Sequence, residues 1–137
     1  DNKLAGYKVA ASLGLSPPKI FYCTDDVSTV SDNAPSGTTG FVVKATDLHS
    51  NNGIYVFPDR FAGKELISGM NMSAQDVEAH LMTLSIKKVI IEEFVGSADS
   101  LPLEVKFHMF GGGVGSVNVV ANRGTDCTCK CVSSPCL

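Results

Sequence analysis

Val89-Ile90-Ile91-Glu92-Glu93-Phe94-Val95 is a run of strand-forming residues broken by two adjacent carboxylates. Side chains alternate between the two faces of a strand. Val89, Ile91, Glu93 and Val95 therefore share one face, and Ile90, Glu92 and Phe94 the other. Each face ends in a carboxylate where an apolar core strand would simply continue. An unpaired buried carboxylate is costly, so each acid needs a cation, a hydrogen-bond donor, water or a polar ligand.

Outward from this stretch, the chain alternates short strands with turn-forming clusters. A strand is expected over 88–95, preceded by a helix over 73–85. Ser73 is its natural N-cap, and Asp76 three residues on reinforces the start. Val77, Leu81 and Leu84 supply its buried stripe. Upstream, Gly40 to Ala45 and Ile54 to Phe57 read as strands joined by the polar loop His49-Ser50-Asn51-Asn52-Gly53. Lys19 to Cys23 is a further short strand, and residues 24–40 read as loop. The first helix is expected over 3–14, with Leu4, Tyr7, Ala11 and Leu15 on one face and Gly14 as its stop. Downstream, Glu104 to Phe110 and Gly115 to Asn122 form a hairpin around Gly111-Gly112-Gly113. Two helices and about six strands, mostly in hairpins, indicate an α+β fold rather than a doubly wound sheet.

Composition narrows the classes. The 137 residues carry a net charge of −3, with 44% apolar and 18% charged residues, which fits an ordinary globular chain. No basic surface of the kind nucleic acids require is present. No apolar run approaches the roughly 18 residues of a membrane span. Asp1 in place of Met suggests a fragment. Cys23 is the one cysteine before residue 127, so the body of the chain reads as cytoplasmic. Cys127, Cys129, Cys131 and Cys136 then crowd the end. Four thiolates at that spacing are candidate zinc ligands, or disulfide partners, or a tail outside the domain.

Other motifs are weaker. The glycines at 111–115 lack the lysine, hydroxyl residue and helix of a phosphate-binding P-loop, and read as a hairpin turn. His49, His80 and His108 stand on a loop, a helix and a strand, without metal-ligand spacing. Lys44 closes the apolar strand Phe41-Val42-Val43. Its ammonium emerges at a sheet edge or in a cleft, either snorkelling or facing an anion. The adjacent 49–53 loop offers backbone amides and the Ser50 hydroxyl to such an anion.

Taken in order, these segments resemble the nucleotide-binding part of the ATP-grasp superfamily, and most closely its TupA-like group. The resemblance spans about Asn2 to Arg123. It implies two small lobes, with 1–23 as an N-terminal helix and strand and 24–88 as the small nucleotide-binding lobe. Residues 89–123 would open an incomplete large lobe, and 124–137 form the Cys-rich tail. Asn2-Lys3-Leu4 is similar to the family's phosphate-contacting helix start, and Phe41-Val42-Val43-Lys44 to its phosphate-and-adenine lysine strand. His49 to Val56 is similar to the loop that closes on the phosphates. In Ile90 to Val95 the resemblance gives Glu92, beside Phe94, the adenine amino group and the backbone at Phe94 and Val95 the adenine edge, which leaves Glu93, on the other face with Ile91 and Val95, to pair with a neighbouring basic group. Glu104-Val105-Lys106-Phe107 resembles the acid-x-Lys-Phe segment, which puts Glu104 near the ribose. The implied ATP-binding residues are thus Lys3, Lys44, Ser50, Asn51, Asn52, Gly53, Glu92, Phe94, Val95, Glu104 and Lys106.

The implied parent activity is ATP-dependent ligation of a carboxylate to an amine through an acylphosphate, in polysaccharide or cell-surface biosynthesis. The acceptor would be a small molecule or glycan. The family also implies magnesium, held by an acid and a Glu-x-Asn pair on later strands. After Arg123 this chain offers only Asp126 before the cysteines, so its magnesium ligands are missing and whether it is an enzyme stays open. The alternatives are a non-catalytic scaffold with the same fold, or a metal-binding protein acting through the cysteine tail.

Overall fold

A computed structural model describes residues 3–36, 40–121 and 128–132. The elements run α1 (Lys3–Ser12), β1 (Ile20–Thr24), β2 (Phe41–Ala45), β3 (Ile54–Phe57), α2 (Ala74–Thr83), β4 (Val89–Glu93), β5 (Glu104–Phe110), β6 (Gly113–Ala121) and β7 (Thr128–Val132). Two short 3-10 turns, Val27–Thr29 and Ser31–Asn33, lie between β1 and β2. The fold is α+β, with two helices and two antiparallel sheets.

The first sheet has the order β1-β4-β2-β3. Its inner face is built by alternation: Phe41, Val43 and Ala45 from β2, Tyr55 and Phe57 from β3, Val89 and Ile91 from β4, all buried. Val77 and Leu81 of α2 and Val30 of the 3-10 segment close over that face. The helix starts where its capping box forms. The Ser73 hydroxyl accepts from the Asp76 amide, and the Asp76 carboxylate accepts from the Ser73 amide. The Ser73 hydroxyl also donates to the Asp76 carboxylate at 2.7 Å, and that bond, followed by the one from the Ser73 amide, holds the exposed Asp76 carboxyl below the usual carboxylate range. Phe61 adds edge-on contacts to Phe41 and Phe57, each with ring centroids 4.9 Å apart.

The second sheet has the order β5-β6-β7. Phe110 pairs with Gly113 across a two-residue turn in which Gly111 and Gly112 have φ of +56° and +85°. Positive φ at both central residues is the geometry that suits the twist of a hairpin, and glycine adopts it without strain. The glycine cluster is thus a hairpin turn.

Several sequence expectations shift. The strand expected at 88–95 ends at Glu93. It lies between β1 and β2, so β4 belongs to the first sheet and does not open the second. β1 pairs with β4 in the same sheet. Helix α1 stops at Ser12, where the amides of Gly14 and Leu15 bond back to Ala11 and Ala10. That is a Schellman ending with Gly14 in the left-handed region. The stripe of α1 is not a core stripe, since the helix has no buried residue and Leu15 is exposed. Strands number seven among the described residues, because Thr128–Val132 of the cysteine-rich tail pairs with β6. Cys127 and Cys136 lie outside the described residues. No described helix is long and apolar enough to cross a membrane.

Candidate functional site

The outer face of the first sheet carries the residues that alternate with the core. In register, Glu92 lies opposite Val42, and Val42 opposite Val56; Ile90 lies opposite Lys44, and Lys44 opposite Ile54. This face, α1, the 48–51 loop and the start of β5 enclose a cleft of about 980 Å³. Val42, Ile54 and Val56 give it an apolar lining, and Lys3, Lys44, Glu92 and Lys106 a charged one. A cleft with an apolar body and a few convergent polar groups is the usual form of a small-molecule site.

Glu92 has found its partners. Its carboxylate is almost fully buried, pairs with the Lys44 ammonium and accepts from the Tyr7 hydroxyl at 2.7 Å. Lys44 also donates to the Tyr7 oxygen, and its Nζ lies 5.2 Å from the centre of that ring. Burial, and then the hydrogen bond to Glu92, raise the Tyr7 hydroxyl well above the usual phenol range. Tyr7 therefore stays a neutral donor. β2 lies between β4 and β3, so Lys44 stands on a central strand rather than at a sheet edge.

Lys3 lines the same cleft, yet two of its N–H groups are engaged: they donate to the carbonyls of Ala45 and Leu48. Burial and the Lys44 charge lower its affinity for a proton, opposed by Asp47 and Glu92. The 49–53 loop is held by tight turns, with Ser50 and Asn51 both at positive φ. Ser50 and Asn51 face the cleft. Asn52 and Gly53 do not line it. Gly53 is buried at φ +65°, where an added Cβ would lie 3.1 Å from the Ala45 side chain. That backbone conformation and that close neighbour are what the fold asks of glycine there.

Phe94 and Val95 line the cleft just beyond β4, and the Phe94 amide is already taken by the Gly40 carbonyl at 3.1 Å. From the second sheet come Glu104 and Lys106, an exposed ion pair at 3.2 Å. Glu93 departs from expectation. It makes no ion pair among the described residues, is exposed, and accepts the Lys19 amide at 3.3 Å. The reason is position: β4 ends there, and water replaces the cation that a buried acid would need.

The sequence reading missed three groups. Tyr7 was counted only as a stripe residue, although an aromatic with a polar tip at that spacing is a signal in itself. The apolar segment Leu101 to Leu103 lines the cleft from the connector. Glu65, nearly fully buried, accepts the amides of Val56, Ile67 and Ser68 at 2.8, 2.9 and 2.7 Å. It shapes the 58–72 connector whose Ile67 reaches the cleft.

Among the described residues no group of three or more His, Cys, Asp and Glu stands together to hold a metal ion. Of the tail cysteines, Cys129 is exposed on β7. No family model, curated protein or solved structure matches the chain.

Proposed function

We propose that this cleft binds ATP, and that the chain is an ATP-grasp-like nucleotide-binding protein of the TupA-like kind. One observation carries the reading. Residues from four separated segments, nominated on the sequence, converge on a single cleft: Lys3, Lys44 with Ser50 and Asn51, Glu92 with Phe94 and Val95, and Glu104 with Lys106. The chemistry is coherent with that ligand. Ammonium groups offset phosphate charge, the apolar lining suits a base, and the cleft carboxylates are acceptors suited to amino and hydroxyl groups. The parent activity on this reading is carboxylate–amine ligation, in which bound ATP supplies the phosphoryl group that activates the carboxylate. The second substrate would be a small molecule or glycan acceptor, in polysaccharide or cell-surface biosynthesis.

Isothermal titration with ATP tests the reading. Micromolar to millimolar binding is expected in the wild type and at least a tenfold loss in Lys44→Ala. Absence of heat with both ATP and ADP at millimolar concentration would end it.

A second reading, a non-catalytic scaffold with the same architecture, draws on the Tyr7–Lys44–Glu92 network. That network satisfies both buried charges without any ligand. ATP turnover by the wild type would exclude it.

A further inference from the structure

Gly6 occupies the fourth position of the ten-residue helix α1, where glycine is among the poorest helix formers. A glycine inside a helix usually answers to a structural need, either a positive φ or a neighbour too close for a side chain. Other glycines here show such needs. Gly53 has φ +65°, and a Cβ on Gly40 would lie 2.7 Å from the Pro58 carbonyl oxygen. Gly6 has neither. Its φ is not positive, and an added Cβ would meet nothing within 4 Å. The fold alone gives no reason for the missing side chain.

The site does give one. Gly6 lines the cleft, one turn along α1 from Lys3 and next to Tyr7, which receives the Lys44 ammonium. Lys3 and Lys44 thus line the same cleft as this bare position of the helix. They are close enough that the Lys44 charge contributes to lowering the proton affinity of Lys3. A local rule broken without structural compensation, on a cleft wall, marks a functional demand. Glycine serves that demand where a ligand must approach backbone closely.

We propose that Gly6 is the clearance residue for the polyphosphate tail of the ligand, which passes against the α1 backbone between Lys3 and Lys44. This rests on the nucleotide reading above and adds to it a position that decides ligand size. The wall at Gly6 excludes nothing in the wild type, whereas any side chain there fills the space the phosphates need. Adenosine, which lacks phosphates, is indifferent to the change.

The test is titration of the wild type, Gly6→Ala and Gly6→Leu with ATP and with adenosine, alongside thermal melts. Both substitutions favour the helix, and the added Cβ meets nothing within 4 Å, so both variants should melt at or above the wild-type temperature. Gly6→Leu should bind ATP at least tenfold more weakly and adenosine as the wild type does, with Gly6→Ala intermediate for ATP. Wild-type affinity of Gly6→Leu for ATP would overturn the clearance role and leave the nucleotide reading standing. Equal loss of ATP and adenosine would overturn the assignment to the phosphate tail. A wild type that binds neither would remove the nucleotide reading and this inference with it.

Discussion

The two sheets are written in the same residue types and end in different situations. In the first, the inner-face residues of β2, β3 and β4 are buried, under α2 and the 3-10 segment. In the second, the alternating apolar face of β5 is exposed: Val105, Phe107 and Met109 all lie open. Their cross-strand partners Val119, Val117 and Val114 extend the same surface. Alternation fixes which residues share a face, but a cover must come from elsewhere in the chain. For the first sheet the cover lies nearby in sequence, as the Val77 and Leu81 stripe of α2. For the second, no described helix supplies one.

The comparison makes its sharpest prediction in a pair of truncations. Leu81→Ala removes a fully buried side chain from the first core and should cost about 2–5 kcal/mol in urea denaturation. Phe107→Ala removes a larger side chain that is 61% exposed, and should change stability by no more than about 0.5 kcal/mol. A Phe107→Ala cost comparable to that of Leu81→Ala would break the contrast. It would mean that the second sheet is covered in solution.

Next in size is the charge pair on the outer face of the first sheet. Lys44→Ala leaves Glu92 buried beside a single hydroxyl donor, and should destabilise by about 3 kcal/mol. The double variant Lys44→Met with Glu92→Leu removes both charges at similar volume, and should recover most of that loss. Glu93→Ala, on the exposed end of β4, should move the urea midpoint little. This reverses the sequence expectation that Glu93 is the structural acid and Glu92 only a ligand contact. Greater destabilisation by Glu93→Ala than by Glu92→Ala would restore it.

Tyr7→Phe is milder. It keeps the ring over Lys44 and deletes one hydroxyl, for a loss of about 1 kcal/mol. Helix α1 has no buried residue and is tethered through Lys3 and Tyr7, one turn apart. Amide exchange in α1 should therefore quicken in Tyr7→Phe while α2 is unaffected. Unchanged exchange in α1 would show that Lys3 alone is a sufficient anchor.

What the sequence disclosed follows the range of the interactions. The Ser73–Asp76 cap, the Gly14 stop and the Gly111–Gly112 turn depend on residues within a few positions, and each was legible. Six of the seven described strands were legible by period, whereas β7 in the cysteine-rich tail was not. The Tyr7–Glu92 bond joins residues 85 apart, and Glu65 reaches the Val56 amide nine residues back from inside an irregular connector. No periodicity encodes either. The same limit explains β4. Its residues read as a strand at once, but its place between β1 and β2 depends on pairing that only the assembled sheet reveals. For the site, the wall residues were nominated through resemblance, whereas the partner that neutralises Glu92 emerged only with the sheet register.

The smallest effect separates the sheets by pH. Tyr55, on the buried face of β3, has its hydroxyl against His80 Nδ1. Burial, and then the Glu65 charge, push its pKa up to about 12. An unfolded tyrosine titrates near 10. Between those values the unfolded chain releases a proton that the folded chain keeps, so the unfolded state binds fewer protons. Stability from this group is therefore complete below pH 10 and falls as pH rises through about 12. Tyr55→Phe removes the titrating group. Its urea midpoint should sit slightly below wild type at neutral pH, through the lost hydrogen bond, and decline less steeply above pH 10. Each described strand of the second sheet lacks a tyrosine, so this alkaline slope belongs to the first sheet. Parallel wild-type and variant profiles across that window would show that the hydroxyl reaches water in the folded chain, and that the first core is looser at β3 than its burial indicates.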